Sequence, residues 1–224
     1  MVESVELPRA RSVLAICAHP DDESFGLGAI LAAFAESGSS TSVLCFTRGE
    51  ASTLGADTPE LGRVRTDELT NAAGELGVLD AQLLHYPDGA LSDVPLDELS
   101  SHVRVAAERS GADLLLVFDE GGITGHPDHC RATDAAVVIG RELNIGTLAW
   151  SLSEQVATTL ELQFGVGFVG RDDAQVDMVV TVDRARQHKA IARHVSQLND
   201  NPVLGRRLAL QGDQESLRWL VRTR

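Results

Sequence analysis

The stretch SVLAICAHPDDE at residues 12–23 is the part of the sequence that indicates the fold most directly. Its first seven residues are apolar and β-compatible, which predicts a buried strand. The cluster His19-Pro20-Asp21-Asp22-Glu23 follows without a break, and these polar side chains are costly to bury unless they are paired or bind a metal. Because open parallel sheets bind ligands beyond the carboxyl ends of their strands, the cluster is expected at a functional edge of a sheet.

A second cluster of the same type lies about a hundred residues further along the chain. Residues 113–118 form the clearest buried strand of the sequence, and the glycine-rich loop 119–125 follows it. The loop leads into His126-Pro127-Asp128-His129, where two histidines are again three residues apart. The sequence therefore predicts a second polar loop at the end of a second strand.

Strand and helix patterns alternate around the two clusters. Strands are predicted at residues 12–18, 41–47, 81–86, 113–118, 147–152 and 175–182. Helices are predicted at residues 26–37, 61–76, 96–109, 127–143, 184–198 and 214–222. This alternation over the first 143 residues predicts an α/β fold, with a mostly parallel sheet and helices on both of its faces. No linker divides the chain, so we expect a single domain.

Composition narrows the class of protein. Hydrophobic residues make up 43% of the 224 residues, enough for a substantial core, and the formal net charge is −14. Such an acidic chain repels phosphate backbones and anionic lipids, which argues against nucleic acid or a membrane surface as a partner. No apolar run approaches the roughly 20 residues of a membrane span. The three cysteines form no CxxC motif, and a cytoplasmic location is expected.

The two clusters together can supply a metal site. His19 and Asp22 are three residues apart, so both can reach one ion if the loop curls into a helical turn. One histidine of the second cluster can complete the site. Two histidines and one carboxylate leave a position open for water, which is the catalytic arrangement of zinc and also suits Fe²⁺. The alternative for each cluster alone is a solvated helix start capped by its carboxylates.

The two motifs, Ala18–Glu23 and Gly125–His129, resemble the signatures of the LmbE-like, or PIG-L-type, zinc-dependent N-acetylglucosaminyl deacetylases. Further stretches at residues 47–50, 65–69, 86–89 and 189–197 resemble other parts of that family. The resemblance covers residues 12 to about 198, and it leaves 199–224 as a C-terminal extension predicted to be helical. Residues 150–174 match no motif of the family.

The resemblance implies a Rossmann-like fold, a bound zinc ion, and a role for each motif residue. The implied metal ligands are His19, Asp22 and His129. The implied general base is Asp21, and His126, supported by Asp128, is the implied acid and oxyanion-stabilising group. Arg65 and Asp88 would contact the sugar, and His194 would make a structural hydrogen bond.

The function implied by these residues is hydrolysis of the amide of an N-acetylglucosamine-type conjugate, with release of an acetyl or acyl group. Three alternatives remain at this point: a non-catalytic sugar- or metal-binding module, an amidase acting on a thiol conjugate of an amino sugar, and a metal phosphoesterase. The expected partner is a small-molecule amino sugar, and a homo-oligomer is compatible with the sequence. The aglycone and the native metal are not specified by these residues.

Overall fold

The computed structural model describes residues 5–199 and 201–223, and within them the strands form one eight-stranded sheet. The strands are β1 (Ser12–Cys17), β2 (Ser40–Thr47), β3 (Asp80–Tyr86), β4 (Leu114–Phe118), β5 (Gly146–Ser153), β6 (Gly170–Arg171), β7 (Met178–Thr181) and β8 (Gln214–Val221). Their order is β3-β2-β1-β4-β5-β8-β7, and β6 pairs with β5. Strands β1 to β6 pair in parallel, whereas β8 runs antiparallel to β5 and β7. The predicted mostly parallel sheet is confirmed.

Helices of different length connect these strands. They are α1 (Asp22–Phe25), α2 (Gly28–Glu36), α3 (Leu61–Leu76), α4 (Leu96–Ser110), α5 (Gly122–Gly125), α6 (Pro127–Leu143), α7 (Glu154–Phe164), α8 (Ala185–Ile191), α9 (Val195–Leu198) and α10 (Pro202–Gln211), with a 3₁₀ turn at Leu91–Asp93. The predicted bounds of α3 and α6 are confirmed. Helix α3 ends at Gly77, whose φ of +83° suits a residue without a side chain, and α6 begins with a proline in its first turn.

The sheet has a hydrophobic core on each face. Residues at alternate positions of β1 divide between them: Val13 and Ala15 face the core that contains α2 and α3, and Leu14 and Ile16 face the core that contains α4 and α6. Because both faces of the parallel strands are covered, these strands are apolar along their whole length. The α/β architecture with helices on both faces is confirmed.

The C-terminal part of the chain differs from its prediction. A helix was predicted at residues 214–222, but this segment is strand β8, and the prediction is wrong. Its apolar residues fit either period, and the deciding interaction is tertiary: β8 fills the edge beside β5, where Leu217 pairs with Trp150. The predicted helix 184–198 is interrupted between α8 and α9, and helix α7 was not predicted. Helix α10 lies in the C-terminal extension that was predicted to be helical, but its bounds were not predicted.

Strand order brings the two polar clusters together. Strands β1 and β4 are neighbours in the sheet, with Val13 opposite Leu114 and Ala15 opposite Leu116. The helix α2 that follows β1 and the helix α6 that follows β4 pack on opposite faces. The order in which successive strands join the sheet therefore reverses between β1 and β4. Such a topological switch point opens a crevice at the carboxyl ends of the two strands.

Among residues 5–199 and 201–223, no helix combines the length and the apolar character required to cross a membrane.

Candidate metal centre and active site

The loop after β1 folds back on its own strand. The Asp22 carboxylate accepts hydrogen bonds from the backbone N–H groups of Ala18 and His19, each at 2.9 Å through Oδ2. Asp21, the residue between His19 and this turn, has a φ of 118°, a conformation that is strained for a residue with a side chain. These constraints leave Oδ1 of Asp22 directed at the second cluster, 3.2 Å from Nε2 of His129.

The loop after β4 fixes the orientation of His129. The imidazole Nδ1 lies 3.0 Å from the carbonyl oxygen of Gly122, and the ring packs edge-on against Phe118 at 4.9 Å between centroids. Gly122 and Ile123 both have positive φ angles, +60° and +66°, so the loop is tightly bent. The bend and the contact with Phe118 together hold Nε2 of His129 toward Asp22.

Three potential ligands converge between the two loops. The ligand atoms of His19, Asp22 and His129 all lie within 4.8 Å of one another, and Nδ1 of His19 is 3.2 Å from Nε2 of His129. The other nitrogen of each imidazole already has an acceptor: Nε2 of His19 is 3.0 Å from Oδ1 of Asp88, and Nδ1 of His129 faces Gly122. Each histidine is thus held in the tautomer that presents a lone pair to the shared space, as in protein metal sites. The three residues fit a divalent metal.

The electrostatics of these residues favour a cation. Burial opposes charge on His19, but hydrogen bonds to Asp128 and Asp88 outweigh it and raise the pKa of His19 to about 10. Burial likewise opposes ionisation of Asp22, yet the neighbouring His129 and His19 hold the pKa of that carboxyl well below its usual range. The centre therefore stabilises positive charge, and a metal ion would take the place of protons here.

Asp21 lies at the edge of this centre and is paired with Arg65. Nη2 of Arg65 is 3.0 Å from Oδ2 of Asp21 and also donates to the carbonyl oxygen of Pro20, while Nη1 donates to that of Gly49 at 2.6 Å. Arg65 is 3% exposed, and these internal contacts make it a residue that positions the loop. Burial raises the pKa of Asp21 to about 6, although Arg65 acts in the opposite direction. The predicted sugar contact of Arg65 stays a prediction.

Asp88 has a defined place beside the predicted ligands. Besides its contact with His19, its Oδ2 accepts a hydrogen bond from the backbone N–H of Ala51 at 2.8 Å. The resemblance assigned it to the sugar, and that role also stays a prediction. The geometry gives it a second task, because it fixes the ring of a metal-ligand histidine.

Asp128 supports His126 in a different way from the one predicted. Its carboxylate accepts hydrogen bonds from the N–H groups of Gly89, at 2.8 Å, and Leu91, at 3.1 Å, and lies 3.4 Å from Nε2 of His19. The contact with His126 comes from the backbone, since the N–H of Asp128 donates to Nδ1 of His126 at 3.2 Å. The support that the resemblance implies for His126 therefore comes from the backbone amide of Asp128, while its carboxylate is engaged by Gly89 and Leu91.

His126 is half-buried, and its ring lies 4.8 Å from the rings of both His19 and His129. Together with His19 and Asp128 it forms a second group of atoms close enough for a metal. That group is the weaker one, because Nδ1 of His126 and both oxygens of Asp128 already face backbone N–H groups. Burial and the two neighbouring histidines lower the pKa of His126.

A further layer connects the first loop to the C-terminal part of the chain. Oε2 of the buried Glu23 accepts a hydrogen bond from the N–H of Asp21 at 2.9 Å, and its Oε1 lies 2.7 Å from Nε2 of His194. The structural hydrogen bond predicted for His194 is confirmed. Sequence reasoning missed its partner, because a carboxylate in the first turn of a helix is also explained as a cap.

The metal centre opens into a cleft of about 540 Å³. Asp21, Asp88, His126 and the three ligand residues line one end of it. Apolar residues form much of the remaining wall: Phe25, Leu54, Phe118, Ile123, Trp150, Phe168, Val203 and Leu204. Polar residues also line it, and these are Ser52, Thr53, Arg65, Thr124, Gln197, Asn201 and Arg207. The residues of α10 in this wall were not predicted as site residues, because the C-terminal extension that carries them matched no motif of the family.

Comparison with known proteins gives relatives in sequence and in structure. A 1D-myo-inositol 2-acetamido-2-deoxy-α-D-glucopyranoside deacetylase from Kineococcus radiotolerans is 30% identical in an alignment of 162 residues that covers 58% of this chain and 45% of the relative. A second such enzyme, from Catenulispora acidiphila, is 33% identical in an alignment of 153 residues that covers 57% of this chain and 47% of the relative. The chain thus spans about half the length of these curated relatives.

Among solved structures, an N,N′-diacetylchitobiose deacetylase from Pyrococcus horikoshii is similar with a TM-score of 0.69 and 20% identity, over 95% of this chain and 84% of the other. At such identity the likeness concerns the fold, and the Rossmann-like architecture implied by the resemblance is confirmed. The model of the PIG-L family, described as GlcNAc-PI de-N-acetylase, matches residues 14–139, more than half of the chain and both polar clusters. The chain belongs to the PIG-L family.

Proposed function

We propose that this protein is a metal-dependent hydrolase that removes an acetyl or acyl group from the amine of an N-acetylglucosamine-type conjugate. The observation that carries the proposal is the convergence of His19, Asp22 and His129 within 4.8 Å, with the outward nitrogen of each imidazole held by an acceptor. Family membership and the deacetylases among the relatives support the reaction class.

His19, Asp22 and His129 would hold the metal, and zinc is the metal we propose, with Fe²⁺ as the alternative that the same ligands suit. When bound, such an ion supplies a Lewis acid for the amide carbonyl and lowers the pKa of a bound water toward about 7. The remaining chemistry belongs to side chains of the chain itself.

Asp21 would act as the general base. Its carboxylate lines the cleft next to the ligand residues, and its ion pair with Arg65 and the N–H contact with Glu23 hold it in place. It accepts the proton of the attacking water, a contribution of about 100- to 10,000-fold in rate. A positioned carboxylate beside the ion has no evident use in a module that only binds sugar.

His126 would stabilise the oxyanion from the other side. The N–H of Asp128 points at its Nδ1, which leaves a proton on Nε2 of the neutral ring as the free donor. One such donor to a tetrahedral oxyanion contributes roughly 3 kcal/mol. Asp21, which holds the proton taken from the water, then delivers it to the leaving amine; His126 is the alternative donor only in its doubly protonated form.

The test is acetate release by purified protein of measured metal content, from a panel of N-acetylglucosamine conjugates with neutral, inositol, phosphate-bearing and thiol-bearing aglycones. Release that is abolished by chelation and restored by Zn²⁺ or Fe²⁺ is the expected result. Metal-loaded protein that binds panel members without turnover would indicate a binding module instead. Cleavage confined to thiol conjugates would favour the amidase, and phosphate release would favour the phosphoesterase. The small-molecule partner, the cytoplasmic location and the oligomeric state remain predictions.

A further inference from the structure

The wall of the cleft opposite the metal centre contains a buried arginine. Arg207, on α10, is 5% exposed and lines the cleft. Its guanidinium lies over the ring of Trp150, 5.0 Å from the centroid, and donates to the carbonyl oxygen of Phe25 and to Oε1 of Gln211. These contacts fix the orientation of the guanidinium with respect to the cleft.

This arginine lacks a carboxylate of its own. The nearby buried acid, Glu215, forms its ion pair with Arg184 through Oε1, and its Oε2 accepts hydrogen bonds from Nε1 of Trp150 at 2.6 Å and from Gln211 at 2.8 Å. The carboxylate of Glu215 is thus engaged by Arg184, Trp150 and Gln211. Among the described residues, no carboxylate forms an ion pair with Arg207. The cluster carries a surplus positive charge in a chain whose formal net charge is −14.

The surplus charge is costly while it has no anionic partner. Burial lowers the pKa of Arg207 to about 10, opposed by Glu215 and reinforced by repulsion from Arg184. The group still carries its charge at neutral pH, and a buried charge without a counter-charge is strongly disfavoured. An anion bound from the cleft would relieve this cost.

Donors remain available for such an anion. Nη1 and Nη2 each use one hydrogen on the chain, and Nε has no hydrogen-bond partner in the part of the chain that the structure describes. A guanidinium presents its N–H groups as a planar fork, which matches the oxygens of a phosphate or a carboxylate.

The arginine lies within reach of a substrate bound at the metal centre. A row of contacts leads from His129 to Phe118, from Phe118 to Trp150 and from Trp150 to Arg207, with centre-to-centre distances of 4.9, 5.4 and 5.0 Å. The metal ligands and Arg207 are therefore two ends of one aromatic wall in the same cleft. These distances place His129 and Arg207 at most about 15 Å apart, so a conjugate that reaches both ends needs a substituent beyond its sugar ring.

We propose that Arg207 recognises an anionic group, a phosphate or a carboxylate, on the amino-sugar conjugate whose amide is hydrolysed at the other end of the cleft. The proposal rests on the proposed function and narrows its substrate class to acidic conjugates. Arg207 acts in binding and specificity, and the reacting atoms lie at the metal centre.

The test compares a neutral sugar with acidic ones in the metal-loaded enzyme. The probes are N-acetylglucosamine, its 1-phosphate and 6-phosphate, and N-acetylmuramic acid, so the arms separate phosphate from carboxylate and one position from another. We expect at least one acidic probe to have a kcat/KM about tenfold above that of N-acetylglucosamine. Arg207→Gln should lower the acidic-to-neutral ratio of kcat/KM by about 10- to 100-fold, mainly through KM.

The matched control is Arg206→Gln, which removes the same charge from the adjacent, exposed residue of α10. It should leave the acidic-to-neutral ratio within about twofold of the wild type. If the wild type hydrolyses the probes with a ratio near one, or if both variants change it equally, the inference about Arg207 is overturned. A wild type that releases no acetate from any probe would contradict the proposed function instead.

A binding measurement remains decisive when a variant folds poorly or turnover is absent. The measurement is the rise in Tm of chelator-treated wild-type protein when a probe is added. The acidic probe with the highest kcat/KM should raise Tm more than N-acetylglucosamine does at equal concentration. Where turnover is absent, each acidic probe is measured in turn. Arg207→Lys, which keeps the charge but loses the fork, should retain part of this difference. Equal Tm shifts for neutral and acidic probes in the wild type would refute anion recognition.

Discussion

Replacing Asp88 by asparagine tests whether this residue belongs to the metal centre. One oxygen of Asp88 lies 3.0 Å from Nε2 of His19, and the other accepts the N–H of Ala51 at 2.8 Å. Both partners are donors, and both require an acceptor. Asparagine places one carbonyl oxygen and one amide NH₂ group where Asp88 has two carboxylate oxygens. Either Nε2–H of His19 or the backbone N–H of Ala51 would then face an NH₂ donor instead of an acceptor.

The magnitude follows from the role of the contact. Loss of an outer partner of a ligand histidine typically lowers metal affinity by about 10- to 100-fold. Here the carboxylate of Asp128 lies 3.4 Å from the same nitrogen and can replace part of the interaction. We therefore expect the lower end of the range, about tenfold in Kd, which corresponds to about 1.4 kcal/mol.

The assay is competition for Zn²⁺ between the protein and a chromophoric chelator, with metal content confirmed after dialysis. Asp93→Asn is the control, because it makes the same chemical change on an exposed residue of the 3₁₀ turn that follows. It should bind Zn²⁺ as the wild type does. Kinetics at saturating Zn²⁺ provide the second readout. Loss of a sugar contact would raise KM even at high Zn²⁺, whereas loss of a metal-centre role would weaken the Kd for Zn²⁺ and leave KM restored at high Zn²⁺.

A Kd for Zn²⁺ within about twofold of the wild type, combined with a raised KM, would refute this reasoning. That pair of results would return Asp88 to the role that the family resemblance implied, contact with the sugar. A weakened Kd with KM restored at high Zn²⁺ would instead establish it as the group that orients His19.

Three further predictions concern the neighbouring groups. Asp21→Asn should keep the Kd for Zn²⁺ within about threefold yet lower kcat about 100- to 10,000-fold, and activity within tenfold of the wild type would reject its role as base. Arg65→Met should lower the free energy of unfolding in urea by about 3 kcal/mol, because it leaves the partly buried carboxylate of Asp21 and two backbone carbonyl groups without their partner. Arg63→Met, on the exposed side of α3, should lower it by less than about 1 kcal/mol, and equal losses would contradict this. Burial disfavours the charged form of His194, but Glu23 outweighs it and raises the pKa above the unfolded value of 6.5, so the stabilisation is complete below pH 6.5 and is lost as pH rises through the folded value. The loss of stability in His194→Gln, measured in chelator, should therefore be larger at about pH 5.5 than at about pH 9, and equal losses would count against the ion pair.

The residues of the candidate metal centre could be singled out from the sequence because the spacing within each loop is local. His19 and Asp22 lie on one short turn, and the turn at the start of α6 carries His126 and His129 in the same spacing. What the sequence did not contain was the adjacency of β1 and β4, which decides which histidine meets Asp22. That adjacency arises from pairing across the sheet, and no local pattern records it.

The roles of Arg65 and Asp128 were harder to predict for a different reason. Arg65 makes two of its hydrogen bonds to backbone carbonyl groups, and the carboxylate of Asp128 makes two with backbone N–H groups. Backbone groups are present at every position and leave no signal in residue type. The strand β8 shows the same limit on a larger scale, because its neighbour β5 selected the conformation that its own sequence left open.

The two ends of the cleft are formed by different segments of the chain. The earlier segment carries the residues proposed for the reaction, and the later segment carries the residue proposed for substrate specificity. The match to the PIG-L family covers residues 14–139, which include each predicted metal ligand, Asp21 and His126. Trp150, Phe168 and Arg207 lie beyond it, on segments that are placed by β5, by the loop before β6 and by α10. Replacing Arg207 alone would leave the pairing of β1 with β4 and the contact of Phe118 with His129 in place. A single hydrolytic centre of this kind can therefore serve different amino-sugar conjugates, and the acidic character that we infer for the substrate of this protein is set by the later segment alone.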